Sequence, residues 1–437
     1  MTAFTAGFGT SDITPPVGVE LAGFGWYLGR KSTGVIEPLH AKAMLWQSGG
    51  EKGALVACDL IGVSKPLVKE ARETISAECG IPCDNIIICA THTHSGPASY
   101  KIIGWGEIDP DYLKRLPRKI ADSAKAAQGA MSPACLEYGE TPVNGISFNR
   151  DVKGGPTDER LRVLKVMHGG KLAGFLAHFS CHPAVMCEET TLITGDFVAM
   201  AVNKAGLEHG CTGVFIQGAS GDQNPVFCHR PQDESVGNLK ALSGMFAEFI
   251  EKALGSARPV GGVAPGTVKT VRKEISLPQS PISKPAIFRT LAFINYIYRQ
   301  RPFSEKLELR LKFENAVYEA LWERSDALPA DARETEILAA RFGDFAIVSH
   351  PAELFLRFQQ DVEAALAPYK IMTAGYANDF IGYAPTPEKY DMSKASPDNE
   401  DIYYTPYFVP MMVGDYPFKE NVGEILAGEM VKLVRSL

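Results

Sequence analysis

A chain of 437 residues, 45% hydrophobic and 22% charged, holds enough apolar material for a large core and excludes a disordered, collagen-like or coiled-coil protein. Its 51 acidic and 44 basic residues give a formal net charge of −7, which argues against a nucleic-acid partner, since such proteins neutralise phosphates with basic patches. No run approaches the roughly 18 apolar residues of an integral membrane segment, and the start MTAFTAGFGTSDITPP lacks a basic-then-apolar secretory leader. Nine scattered cysteines, an odd number, read as reduced thiols, so the expected setting is cytoplasmic.

Along the chain, KAMLW, ALVACDLIG, NIIICATH, LRVLKVM, LAGFLAHF, TGVFIQG and FAIVSHP are short apolar runs that read as strands, several buried on both faces. Between them SKPLVKEARETISAECG is a helix closed by Gly80, and DPDYLKRLPRKIADSAKAAQG is one opened by acidic residues. Strands interleaved with helices predict an α/β fold, a central mixed sheet flanked by helices. Residues 255–285 are rich in Pro, Gly and Ser, and a polar, helix-prone stretch at about 286–327 follows. We read it as a helical excursion from one catalytic domain spanning 1–437, because candidate site residues fall on both sides of it.

Two strands run into histidine clusters. In NIIICATHTHSGP the two-residue period puts His92 and His94 on one side at the strand end, with Gly96 and Pro97 breaking the run. In LAGFLAHFSCHPAV a second apolar strand ends in His178 and His182. Paired imidazoles at two strand ends point to a metal, and the donor type favours Zn²⁺. A third strand enters the small, polar turn GASGDQNP, which exposes backbone N–H groups but lacks the Lys and Ser/Thr of a P-loop. Asp196, after LITG, reads as a helix N-cap.

The fragments DITPPVG, THTHSGP, Asn149–Arg150, LITGD, GASGDQNP, Pro351–Ala352–Glu353 and GYANDFIGY resemble neutral ceramidases, in the family's order. The resemblance implies an α/β zinc amidase with His92, His178, Glu353 and Tyr383 as ligands, and His94 and Arg150 lining the site. Asn224 stands where the family carries a serine assigned a catalytic role, and an amide can donate to an oxyanion but cannot act as a nucleophile. With residue 437 as its last, the chain leaves no room for the family's C-terminal β-sandwich.

The reaction expected is hydrolysis of an amide C–N bond in a small acylated or cyclic substrate by metal-activated water, with Tyr383, Asn224 and Arg150 as oxyanion donors. An esterase or lactonase on the same site, or a metal-dependent binding protein, are the competing readings. His182, Asp222 and Asp59 are weaker candidates, Asp59 as a carboxylate ordering a ligand imidazole. His40, His168, His209, His229 and His350 read as structural or surface residues. The loop SYKIIGWGEIDP, the excursion and the aromatic stretch DIYYTPYFVPMM are expected to shape the pocket.

Overall fold

The computed structural model describes residues 4–24, 29–264, 266–300, 302–324, 331–391, 393 and 404–437. The α/β reading holds, but among the described residues the strands divide among three larger mixed sheets and three two-stranded ones where a single central sheet was expected. The first orders Ile86–Ala90, Glu51–Cys58, His40–Ser48, Thr5–Asp12 and Ser132–Pro133. In the second, Thr212–Gln217 leads to Lys171–Phe179, Arg160–His168, Cys135–Pro142 and Arg258–Pro259. The third runs from Lys269–Pro278 through Ala332–Phe342 and Phe345–Ser349 to Lys370–Ala374.

Each larger sheet is antiparallel except at one edge, where one parallel pair lies: 51–58 with 86–90, 171–179 with 212–217, and 345–349 with 370–374. Parallel neighbours need a crossover, and helices Lys65–Cys79, Asp196–His209 and Leu356–Leu366 supply the three. The first of these is capped as its sequence predicts: the Ser64 hydroxyl accepts from Leu67 N, and Gly80 takes the left-handed conformation at φ 65°.

The three edges meet. Gly375 N donates to Gln217 O at 2.8 Å, Asn378 N to Ile88 O at 2.7 Å, and Ala90 N to Tyr376 O at 3.1 Å. Behind them one buried apolar cluster draws Trp46, Leu55, Ile87, Leu176, Ile216, Leu338, Ile347 and Met372 from all three sheets. Burial on both faces explains why these strands are continuous apolar runs. The carboxyl ends of three parallel pairs therefore open into one place, where α/β folds build sites.

The excursion is a pair of helices, Lys284–Tyr298 and Glu305–Arg324, joined side to side by Asn295 Nδ2 donating to Asn315 Oδ1 at 3.2 Å. It leaves and re-enters between two antiparallel neighbours of the third sheet, and Phe313 and Tyr318 of its second helix pack on Phe408. Residues 301 and 325–327 of the expected excursion, and 401–403 of the aromatic stretch, lie outside the described residues. Among the described residues no helix is long and apolar enough to cross a membrane.

Candidate metal centre

The strand before the first histidine pair ends at Ala90, so His92 and His94 are not strand neighbours. They converge by a turn: Thr91 N bonds Cys58 O, His92 N bonds Leu60 O, and His92 sits at φ 68°, a left-handed position rare for a side chain of its size. Its ring is held twice. Tyr376 stacks on it with centroids 4.1 Å apart, and Nδ1 lies 2.6 Å from Ile61 O.

His182 follows the strand Lys171–Phe179 by three residues, and its backbone N–H bonds Gln223 O. Its Nδ1 lies 2.7 Å from Ser220 O and 3.1 Å from Gln223 O. The loop beyond it is pinned by Asp196, whose Oδ2 accepts from Val185 N and Met186 N. Asp196 is not the N-cap its sequence suggested, since Gly195 takes that position and Asp196 is the first helical residue; its side chain instead fixes the segment that carries His182.

A carbonyl oxygen can only accept, so Nδ1 of His92 and of His182 each carry a proton, and in the neutral tautomer the lone pair is then on Nε2. Those two Nε2 atoms lie 3.4 and 3.3 Å from the same atom, Oε2 of Glu353. All three side chains are buried. Burial, aided by the nearby Arg150 charge, pushes His182 down to about 4, so the ring is neutral at ordinary pH. Burial would raise the Glu353 carboxyl, but the two histidines outweigh it and hold it below the usual carboxylate range. In the neutral tautomers two nitrogen lone pairs and a carboxylate converge, an arrangement that a cation among them would relieve. The donor set suits Zn²⁺, with carbonyls orienting both imidazoles as ligand histidines are normally oriented.

His94 completes a buried cluster with His92 and His182 whose ligand atoms all lie within 4.8 Å of one another. It differs from the other two: among the described residues neither ring nitrogen has a hydrogen-bond partner, and the ring lines the open cavity. Burial first, then the imidazoles of His92 and His182, keep it neutral.

Glu353 and Tyr383 are register partners across a short parallel pair, Glu353–Leu354 with Tyr383–Ala384, so the expected carboxylate and phenol stand side by side. The Tyr383 hydroxyl accepts from Arg150 Nη2 at 2.5 Å, and Arg150 also donates through Nε and Nη2 to Gly221 O. Burial raises the Tyr383 phenol well above its ordinary value, against the pull of Arg150. Asp222 joins the pieces: Oδ1 accepts from Leu356 N, Oδ2 from Asn149 Nδ2, and its carbonyl from Arg150 N. Asn224 pairs with Phe148, lines the cavity, and donates from Nδ2 to Cys228 Sγ at 3.6 Å.

Two further expectations need correction. His178 does not join the cluster. It lies inside the strand, one residue before its end, and Nε2 meets Thr373 Oγ1 at 3.2 Å on the neighbouring sheet. The histidine at the centre is His182, beyond the strand and directly before Pro183, just as His94 precedes the Gly96–Pro97 break. Among the described residues Asp59 hydrogen-bonds no imidazole of the cluster; it accepts from His40 N and from the Thr91 hydroxyl, steadying the turn that presents His92.

The cavity over the cluster measures about 240 Å³. Phe24, Trp105, Phe313 and Tyr404 give it apolar walls, and Arg150, Arg310 and Asn224 add polar ones. Both the 99–110 loop and the helical excursion contribute, as their sequences suggested. His229, read as a surface residue, stands on the rim, 61% exposed and paired with Glu188.

A sequence model described as neutral/alkaline non-lysosomal ceramidase, N-terminal, matches residues 4–225. The chain belongs to the neutral/alkaline non-lysosomal ceramidase family. The match takes in His92, His94, Arg150, His182 and Asn224 and stops before Glu353 and Tyr383. Those two enter through the fold. The solved neutral ceramidase from Pseudomonas aeruginosa superposes over 100% of this chain and 75% of its own, with a TM-score of 0.74 at 19% identity. A second structure, a ceramidase complexed with C2, covers 100% and 76% with a TM-score of 0.74 at 18% identity.

Proposed function

We propose that this family member is a zinc-dependent amidase acting on the C–N bond of a small acylated or cyclic substrate. The observation that carries the reading is the meeting of His92 Nε2 and His182 Nε2 on Glu353 Oε2, each imidazole with its proton committed to a carbonyl. These three residues hold the ion, and Tyr383, beside Glu353, completes the set through its phenol oxygen, which Arg150 holds in place. Zn²⁺ in such a site supplies a Lewis acid that polarises a carbonyl and makes water nucleophilic near neutral pH.

The remaining steps belong to the side chains. Arg150 places a fixed positive charge where the oxyanion develops, and Asn224, also on the cavity lining, has a second amide N–H beyond the one given to Cys228; one such donor is worth about 3 kcal/mol of transition-state stabilisation. His94 has a neutral ring facing the cavity, so it accepts the proton of the attacking water and returns it to the departing nitrogen. No nucleophilic serine is needed for this sequence of events, which accommodates Asn224.

Zinc content and turnover test the proposal together. The purified protein is expected to hold close to one zinc per chain and to hydrolyse at least one member of a panel of N-acyl amines, cyclic amides and lactones. Chelation must abolish that turnover and zinc must restore it. Turnover unchanged by chelation removes the metal from the reaction. A zinc-loaded protein that binds a panel member and cleaves none is a binding protein.

A further inference from the structure

We propose that the outward face of helix Lys284–Tyr298 docks the protein on an anionic membrane surface. The outer face of a surface helix is ordinarily polar. Here the exposed positions 288, 289, 292, 293 and 296 recur at helical spacing on one face, and they include Phe288 at 66% exposure, Phe293 at 49% and Tyr296 at 65%. Phe303, 80% exposed, follows in the connection to the second helix, whose Trp322 is 43% exposed beside Phe288.

Charge selects the partner. Between Glu274 and Glu305 the sequence has no acidic residue, while Lys284, Arg289, Arg299 and Arg301 fall in that interval, in a chain whose net charge is −7. Arg289 lies on the exposed aromatic face, and exposed Arg299 follows at its end. Aromatic and basic residues sharing one helix face match an interface of anionic headgroups over acyl chains. A second copy meeting the same face would oppose arginine to arginine. The acidic Glu319 and Glu323 belong to the second helix and line the groove with Phe288 and Trp322, so the basic character of the patch is confined to the first helix. The same hairpin sends Phe313 and Arg310 into the catalytic cavity, so docking by the first helix holds the cavity close to the surface.

Flotation of the whole protein with vesicles tests this without reference to turnover, so it stands or fails apart from the hydrolase reading. The protein is expected to float with vesicles of phosphatidylcholine and phosphatidylglycerol, weakly with phosphatidylcholine alone, and less as salt rises. The triple variant Phe288→Ser, Phe293→Ser, Tyr296→Ser and the double variant Arg289→Glu, Arg299→Glu should each lower vesicle affinity at least about tenfold, with unchanged circular dichroism. Failure of the unmodified protein to float with anionic vesicles overturns the proposal, as does flotation that neither variant changes. A dimer in sedimentation equilibrium that the triple variant converts to monomer also overturns it, because the face is then covered by a second copy.

Discussion

Gly221 has no room for a side chain, and replacing it with alanine perturbs the centre without replacing any proposed ligand. A Cβ there would lie 2.5 Å from the Glu353 carbonyl oxygen, 2.9 Å from Phe355 Cδ1 and 3.0 Å from the Leu354 carbonyl oxygen. Reaching an ordinary contact of 3.4 Å requires the first pair to part by about 0.9 Å (3.4 − 2.5). Two of the three atoms are backbone, so the displacement falls on the Glu353 strand or on Gly221 itself. Gly221 N is tied to Leu354 O and Gly221 O to Arg150, so either path moves a member of the centre. Overpacking of this kind costs about 1–3 kcal/mol, which for a chain of this length lowers the thermal midpoint by only about 1–3 °C. A shift approaching 1 Å in reacting groups costs about a hundredfold in rate. Gly221→Ala should therefore remain folded while its kcat/KM falls about a hundredfold and its zinc affinity weakens, read by competition with a chromogenic chelator. Gly237, inside helix Gln232–Ser256 with nothing within 4 Å of its Cβ position, is the control: alanine there should leave both unchanged. Zinc affinity and turnover at unmodified levels in Gly221→Ala would refute the packing argument.

His182→Ala should lose its zinc, whereas His178→Ala should keep it and lose only stability, as metal analysis of the two purified variants will show; the reverse outcome restores His178 as ligand. Asn224→Ala should lower kcat about a hundredfold with KM little changed, since the donor acts on developing charge; an unchanged kcat removes it from the oxyanion site. Burial, then the charge of Asp59, raises Glu37 from 4.5 to about 8. The folded protein therefore keeps a proton that the unfolded chain releases, so this group's stability is complete below 4.5 and falls as pH rises toward 8, by at most about 1.4 kcal/mol per pH unit. Glu37→Gln should flatten the fall in thermal midpoint over that range, and equal slopes in the two proteins contradict the assignment.

Strands, helix caps and the histidine clusters were legible because each has a local cause. Apolar runs mark strands buried on both faces, Ser64 and Gly80 cap one helix, and imidazoles gather where a run is broken. Which histidine reaches the centre was not legible, because it depends on where a strand stops: the second ends at Phe179, leaving His178 paired inside the sheet and His182 beyond it, held by the Ser220 and Gln223 carbonyls. The nearest sequence signal was Pro183. His92 and His94 converge for a reason that period-two reasoning does not contain, a left-handed residue held by Leu60 and Tyr376. Tyr376 stacks across two sheets from a distant part of the chain, and Asp196 braces a loop that precedes it in sequence; neither role has a local signature. Three sheet edges stitched at Gly375 and Asn378 are likewise a tertiary fact, which strand propensity alone reads as one sheet.

Diffraction from crystals of the zinc-loaded protein on either side of the zinc absorption edge tests the centre most directly. A single anomalous peak is predicted at about 2.0–2.2 Å from Nε2 of His92, Nε2 of His182 and a carboxylate oxygen of Glu353. No peak among those atoms, or one seated on His178, would contradict it.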